Sequence, residues 1–119
     1  MANKEHSRIL RPLTSKVKKA IGQLLPDIIT VAEPLRVLLF GSASSGRVGP
    51  ESDLDFLVIV EDRDHVSSVA DRLNTGVRNK PIPCDFVVAT PSILRRHMKD
   101  RNSVYNHALA HGRELYAAR

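Results

Sequence analysis

Two aspartates one residue apart, Asp53-Leu54-Asp55, open an apolar run that ends at Val60. In an extended strand residues i and i+2 share a face, so both carboxylates project to the same side where the strand begins. Like charges at that spacing repel unless a cation lies between them. A hard divalent ion such as Mg²⁺ suits such a pair, with waters and substrate phosphates completing its shell. A third acid, Asp85, stands near the start of a later strand-like run, CDFVVAT (84–90), with Val87 and Ala89 on its face. If the two strands are neighbours, Asp53, Asp55 and Asp85 converge, and such a cluster could hold two ions bridging the attacking and leaving oxygens of a phosphoryl displacement.

The segment before the acids supplies a complement. Gly41 lets the backbone turn sharply after Phe40 and approach a ligand closely. Ser42 adds a hydroxyl beside backbone N–H groups, an arrangement suited to phosphate oxygens. A short helix beginning within residues 42–47 would strengthen that site through its N-terminus. Ser44, Ser45 and Ser52 read most simply as turn residues of a loop rich in Gly and Ser.

Positioning these groups requires a particular set of elements. Thr14 or Ser15 can cap a first helix in which Val17, Ala20, Ile21, Leu24 and Leu25 recur at helical spacing, with Pro26 ending or kinking it. LRVLLF (35–40) reads as a strand covered on both faces, and DLDFLVIV (53–60) as a second. A helix is expected from about Asp64 to Asn74, then the third strand from Cys84. Thr90-Pro91 reads as an N-cap with proline at the first helical position, opening a helix through about Met98. A last helix is expected from about Asn102, turning Val104, Ala108, Leu109 and Leu115 inward. The order places the chain in the α/β (α+β) class, a small sheet flanked by helices.

Gly41-Ser42, ten residues, then Asp53-Leu54-Asp55, with Asp85 on a later strand, resembles the nucleotidyltransferase superfamily of the DNA polymerase beta type. The size and the ending, with Tyr105 and Gly112-Arg113-Glu114-Leu115-Tyr116, are similar to the minimal nucleotidyltransferase (MNT) group of prokaryotic proteins. The likeness spans most of residues 15–117. It implies a polymerase beta-like nucleotidyltransferase fold with a small mixed sheet. Gly41 and Ser42 would bind the triphosphate of ATP or another NTP, Asp53 and Asp55 would ligate two Mg²⁺ ions, and Asp85 would ligate the catalytic ion and help activate the acceptor hydroxyl. Family members of this size often act as the antitoxin of a HEPN-domain ribonuclease, and some transfer AMP to a tyrosine of that partner. Related minimal proteins carry arginines in the glycine-serine loop where this chain has Ala43 and Ser45. Arg47 is its only loop arginine, so phosphate neutralisation falls to Arg47 or to the metals. The same departure raises an alternative, a catalytically degenerate module that neutralises its partner by binding alone.

Composition narrows the remaining classes. The chain has 119 residues, a formal charge of +5 and five aromatic residues without a tryptophan. These values suit a single soluble domain over residues 14–119 behind a flexible segment, residues 1–13. No apolar run approaches the roughly 20 residues of a membrane span. Residues 1–13 lack the apolar stretch of a secretory signal, so a cytoplasmic location is expected. Cys84 is the only cysteine and cannot form an internal disulfide.

The basic excess suits phosphates, yet the few aromatics argue against direct nucleic-acid binding. Residues 1–36 and 91–119 are each net +4, whereas residues 37–90 are net −3. An acidic centre thus lies between basic ends, which fits metal ions at the centre and a nucleotide or acidic partner at the flanks. His107 and His111, four apart on the last expected helix, have zinc-ligand spacing, but no carboxylate or cysteine completes a set. Arg101-Asn102 followed by His107 faintly resembles the motif of HEPN ribonucleases themselves, an idea that three preceding strand-like runs exclude. A homo-oligomer stays open.

Overall fold

A computed structural model of the chain describes residues 13–41 and 53–119. Ser42, Ala43, Ser45 and Arg47 of the expected phosphate loop, and nearly all of the expected flexible segment, lie outside the described residues. Helix α1 (Ser15–Ala32) starts at Thr14, whose Oγ1 accepts a hydrogen bond from the Val17 N–H at 3.2 Å. It then runs through Pro26 instead of ending there. Proline removes the N–H that would bond to the Gly22 carbonyl and crowds that carbonyl. Here both Pro26 and Gly22 face solvent, so water can serve the carbonyl while buried Leu24 and Ile28 anchor the helix on the core. The helix stops at Glu33, left-handed at φ 47°, whose N–H bonds to the Ile29 carbonyl.

Strands β1 (Arg36–Phe40) and β2 (Leu54–Ile59) follow, then α2 (Val66–Gly76), β3 (Cys84–Ala89), α3 (Pro91–Arg96), α4 (Val104–His111) and β4 (Arg113–Ala117). The sheet order is β3-β2-β1-β4, with β1 antiparallel to both β2 and β4, and β2 parallel to β3. The α/β architecture with a small mixed sheet is therefore as the residue pattern predicts. The chain's end differs from expectation. Instead of one helix carrying Leu115 inward, α4 closes at His111 and residues 113–117 form an edge strand on β1. Gly112 makes that switch: a Cβ there would lie 2.4 Å from the Ala108 carbonyl oxygen and 3.0 Å from that of Leu39.

Alternation along the strands divides the core in two. Val37, Leu39, Leu54, Phe56 and Val58 pack beneath α1 and α2 on one face. Leu38, Phe40, Leu57, Ile59 and Ala89 pack with Ala108, Ile93 and Leu94 of α3 and α4 on the other. No described helix is long and apolar enough to cross a membrane.

Candidate functional site

The acids gather at one end of the sheet. β2 and β3 run parallel in a register that places Asp55 directly beside Asp85. Neighbouring strands lie about 4.8 Å apart. By strand alternation both carboxylates stand on the face covered by α3 and α4, in line with Leu57 and Val87, and Asp53 shares that parity just before β2 begins. Asp53 and Asp85 are exposed, and Asp55 is half-buried. Because β1 is antiparallel to β2, its end meets their beginning: Phe40 pairs with Asp55, and Gly41 follows.

Gly41 is needed for its shape. Its φ is +79°, a conformation side chains rarely adopt, and a Cβ there would lie 2.6 Å from Asp55 Oδ2. The turn after β1 therefore presses its backbone against the central carboxylate. Burial pushes the Asp55 carboxyl above the ordinary value, and the charges of Asp85 and then Asp53 push it further in the same direction. All three causes penalise the ionised form, which a cation would relieve.

The donor set fits a hard divalent ion in one specific sense. Among the described residues no three His, Cys, Asp or Glu side chains stand close enough to enclose an ion. Asp55 and Asp85 are cross-strand neighbours, and the charge of Asp53 at the strand entry acts on Asp55 as well. Mg²⁺ is commonly held by one or two carboxylates, with substrate phosphates and water supplying the rest, rather than by an all-protein cage. Asp55 and Asp85, with Asp53 at the strand entry, would hold it only together with those phosphates and waters, and bound there it would neutralise phosphate charge as a Lewis acid.

The surroundings keep other groups out of the chemistry. Cys84 packs partly buried on the opposite face, and burial raises its thiol above the usual range despite the opposing charge of Lys80, with Asp85 and Asp53 adding to the rise. His107 and His111 have ring centroids 4.9 Å apart and belong to no described metal-ligand cluster. Sequence reasoning missed β4, whose Arg113 begins opposite Leu39 at the acid end of the sheet. Gly112 directly after the helical pattern is the stop signal that could have revealed it.

The chain belongs to the nucleotidyltransferase domain family, whose family model matches residues 14–111. The match takes in Gly41 and all three acids, and the chemistry common to such domains is nucleotidyl transfer from NTP substrates with divalent metals. Among solved structures, the chain is similar to a candidate nucleotidyltransferase of Sulfolobus solfataricus. Identity is 19%, coverage is 75% of this chain and 85% of that one, and the TM-score is 0.48. No curated protein sequence matches the chain.

Proposed function

We propose that the chain is a Mg²⁺-dependent nucleotidyltransferase of the minimal type, moving AMP from ATP to a hydroxyl of a HEPN-domain toxin in the cytoplasm and so acting as its antitoxin. The observation that supports this reading best is the Asp55–Asp85 cross-strand pair beside Gly41, inside a chain matched by the nucleotidyltransferase domain over residues 14–111.

In this reading Gly41 and Ser42 seat the triphosphate by backbone N–H groups, and Arg47 offsets its charge. Asp53 and Asp55 would hold the Mg²⁺, two ions as the family resemblance implies, through carboxylate oxygens. Asp85, exposed at the start of β3, helps hold the catalytic ion and accepts the proton of the incoming hydroxyl. That oxygen forms the new bond to the α-phosphorus, and the bond from phosphorus to the pyrophosphate oxygen breaks. Burial of Asp55 lowers the local dielectric, so its charge acts more strongly on a bound cation than an exposed carboxylate would.

Titration calorimetry with Mg-ATP tests the reading. The intact chain should bind, and Asp53→Asn and Asp55→Asn should each weaken binding by about tenfold or more. An intact chain that takes up no Mg-ATP would overturn the transferase reading. It would favour the alternative in which the same domain neutralises its partner by occlusion.

A further inference from the structure

The helices α3 and α4, which cover the same sheet face as the acids, carry at their junction a surface that catalysis does not use. α3 starts where β3 ends, and Arg95 near its close still lies 3.8 Å from Asp62, just past the end of β2, so the turn that follows begins at the end of the sheet away from Asp55 and Asp85. Met98 in that turn is 64% exposed and Val104, opening α4, is 44% exposed; no other large apolar side chain of the described residues is comparably open. Exposed singly, such side chains are ordinary; what sets these two apart is the rigid, basic turn that carries them.

Here the turn is firmly held. The Asn106 side-chain amide donates to the carbonyls of both His97 and Asp100. The Asp100 N–H bonds to the His97 carbonyl, the Ser103 N–H to the Asp100 carbonyl, and the Asn102 N–H to Asp100 Oδ1 at 3.0 Å. Ser103, buried, caps α4 by accepting from the Tyr105 N–H. Met98 is therefore presented on a preorganised turn, which lowers the entropic cost of contact.

Charge selects the occupant. Arg96, Lys99 and Arg101 are exposed around Met98, and no described acid pairs with them. Arg95 is engaged by Ser92 Oγ and lies 3.8 Å from Asp62. Asp100, the one acid of the turn, is tied to the Asn102 backbone. A second copy meeting this patch about a twofold axis would set these cations against their own counterparts. A nucleic-acid backbone would use the cations but leave Met98 and Val104 idle, and the Tyr105 ring lies tilted against His97, centroids 5.1 Å apart, instead of open for a base.

We propose that the turn from Arg96 to Val104 is a docking platform for an acidic protein surface with an apolar centre. The cations steer the approach, and Met98 with Val104 fills the partner's apolar centre. The proposal takes from the functional reading only that the acceptor is a protein, because the platform lies remote from the acids.

Amide chemical-shift titration of the full chain tests it with three probes: a short amphipathic Leu-Glu peptide, polyglutamate of equal length, and oligouridylate. The Leu-Glu peptide should shift residues 96–104, and Met98→Ser or the pair Lys99→Glu with Arg101→Glu should each weaken it about tenfold. Both variants change exposed side chains and should keep the remaining spectrum. Polyglutamate or oligouridylate binding as tightly, an unaffected Met98→Ser variant, or no shift at residues 96–104 would overturn the proposal. So would a dimer in sedimentation that Met98→Asp abolishes. Mg-ATP binding should be unchanged in these variants; its absence from the intact chain would overturn the transferase reading and leave the platform standing.

Discussion

Asp55 couples the chemistry to stability. Its folded-state pKa lies above the unfolded value because burial and two neighbouring carboxylates disfavour ionisation. The folded chain therefore holds that proton more tightly, and this contribution to stability is lost as pH rises from the unfolded value through the folded one. Without metal, Asp55→Asn should raise the melting temperature at neutral pH by roughly 2–5 °C, and calorimetry should show the gain vanishing in mild acid. A drop at neutral pH would mean that the carboxylate already has a stabilising partner. Gly41→Ala should act in the opposite direction, since a methyl there meets Asp55 Oδ2 in a left-handed turn. Denaturant melts should show a loss of about 1–3 kcal/mol, with Mg-ATP binding weakened as well. Both residues are legible in the sequence through the i, i+2 rule and the glycine after an apolar strand. The pairing of Asp55 with Asp85 is not, because strand order depends on contacts distant in the chain.

At the scale of elements, local signals identified most of the fold. Thr14 and Thr90 cap the helices they precede, each accepting from the N–H three residues on. Two elements escaped local reading. The sequence expects Pro26 to interrupt α1, yet its lost hydrogen bond points to water while the opposite face is buried, so tertiary packing outweighs the local penalty. β4 looks helical because Leu115 continues the spacing of Ala108, and only pairing with β1 makes it a strand. An ion pair, Arg36 Nε to Glu114 Oε1 at 2.6 Å, reinforces that edge. Gly112→Ala should therefore destabilise by about 2–4 kcal/mol in urea melts, because the methyl would meet two backbone carbonyls; an unchanged midpoint would contradict the close packing described. Asp62 supports α3 by accepting from the Ser92 N–H at 2.9 Å, and that bond holds its carboxyl below the usual range. This contribution is present above the unfolded pKa and lost as pH falls through the lower folded one. Asp62→Asn should accordingly flatten the acid limb of the stability profile.

Across the whole molecule, the sheet separates the acids from the basic turn by end. β1 ends where β2 and β3 begin, which brings Gly41, Asp53, Asp55 and Asp85 to one end. The basic turn with Met98 lies away from them, so the proposed protein acceptor would be gripped remotely while its hydroxyl is presented to the acids. The acidic middle of the sequence contributes the acid cluster, and Arg96, Lys99 and Arg101 of its basic C-terminal part the cations of the proposed platform. Transfer of label from α-³²P-ATP to the proposed HEPN-domain partner, with Mg²⁺ and the intact chain, is the direct test of nucleotidyl transfer to a protein. The expected result is a labelled partner whose signal falls to background with Asp53→Asn, with Asp55→Asn and on chelation of the metal. Label transfer that survives both substitutions would contradict it.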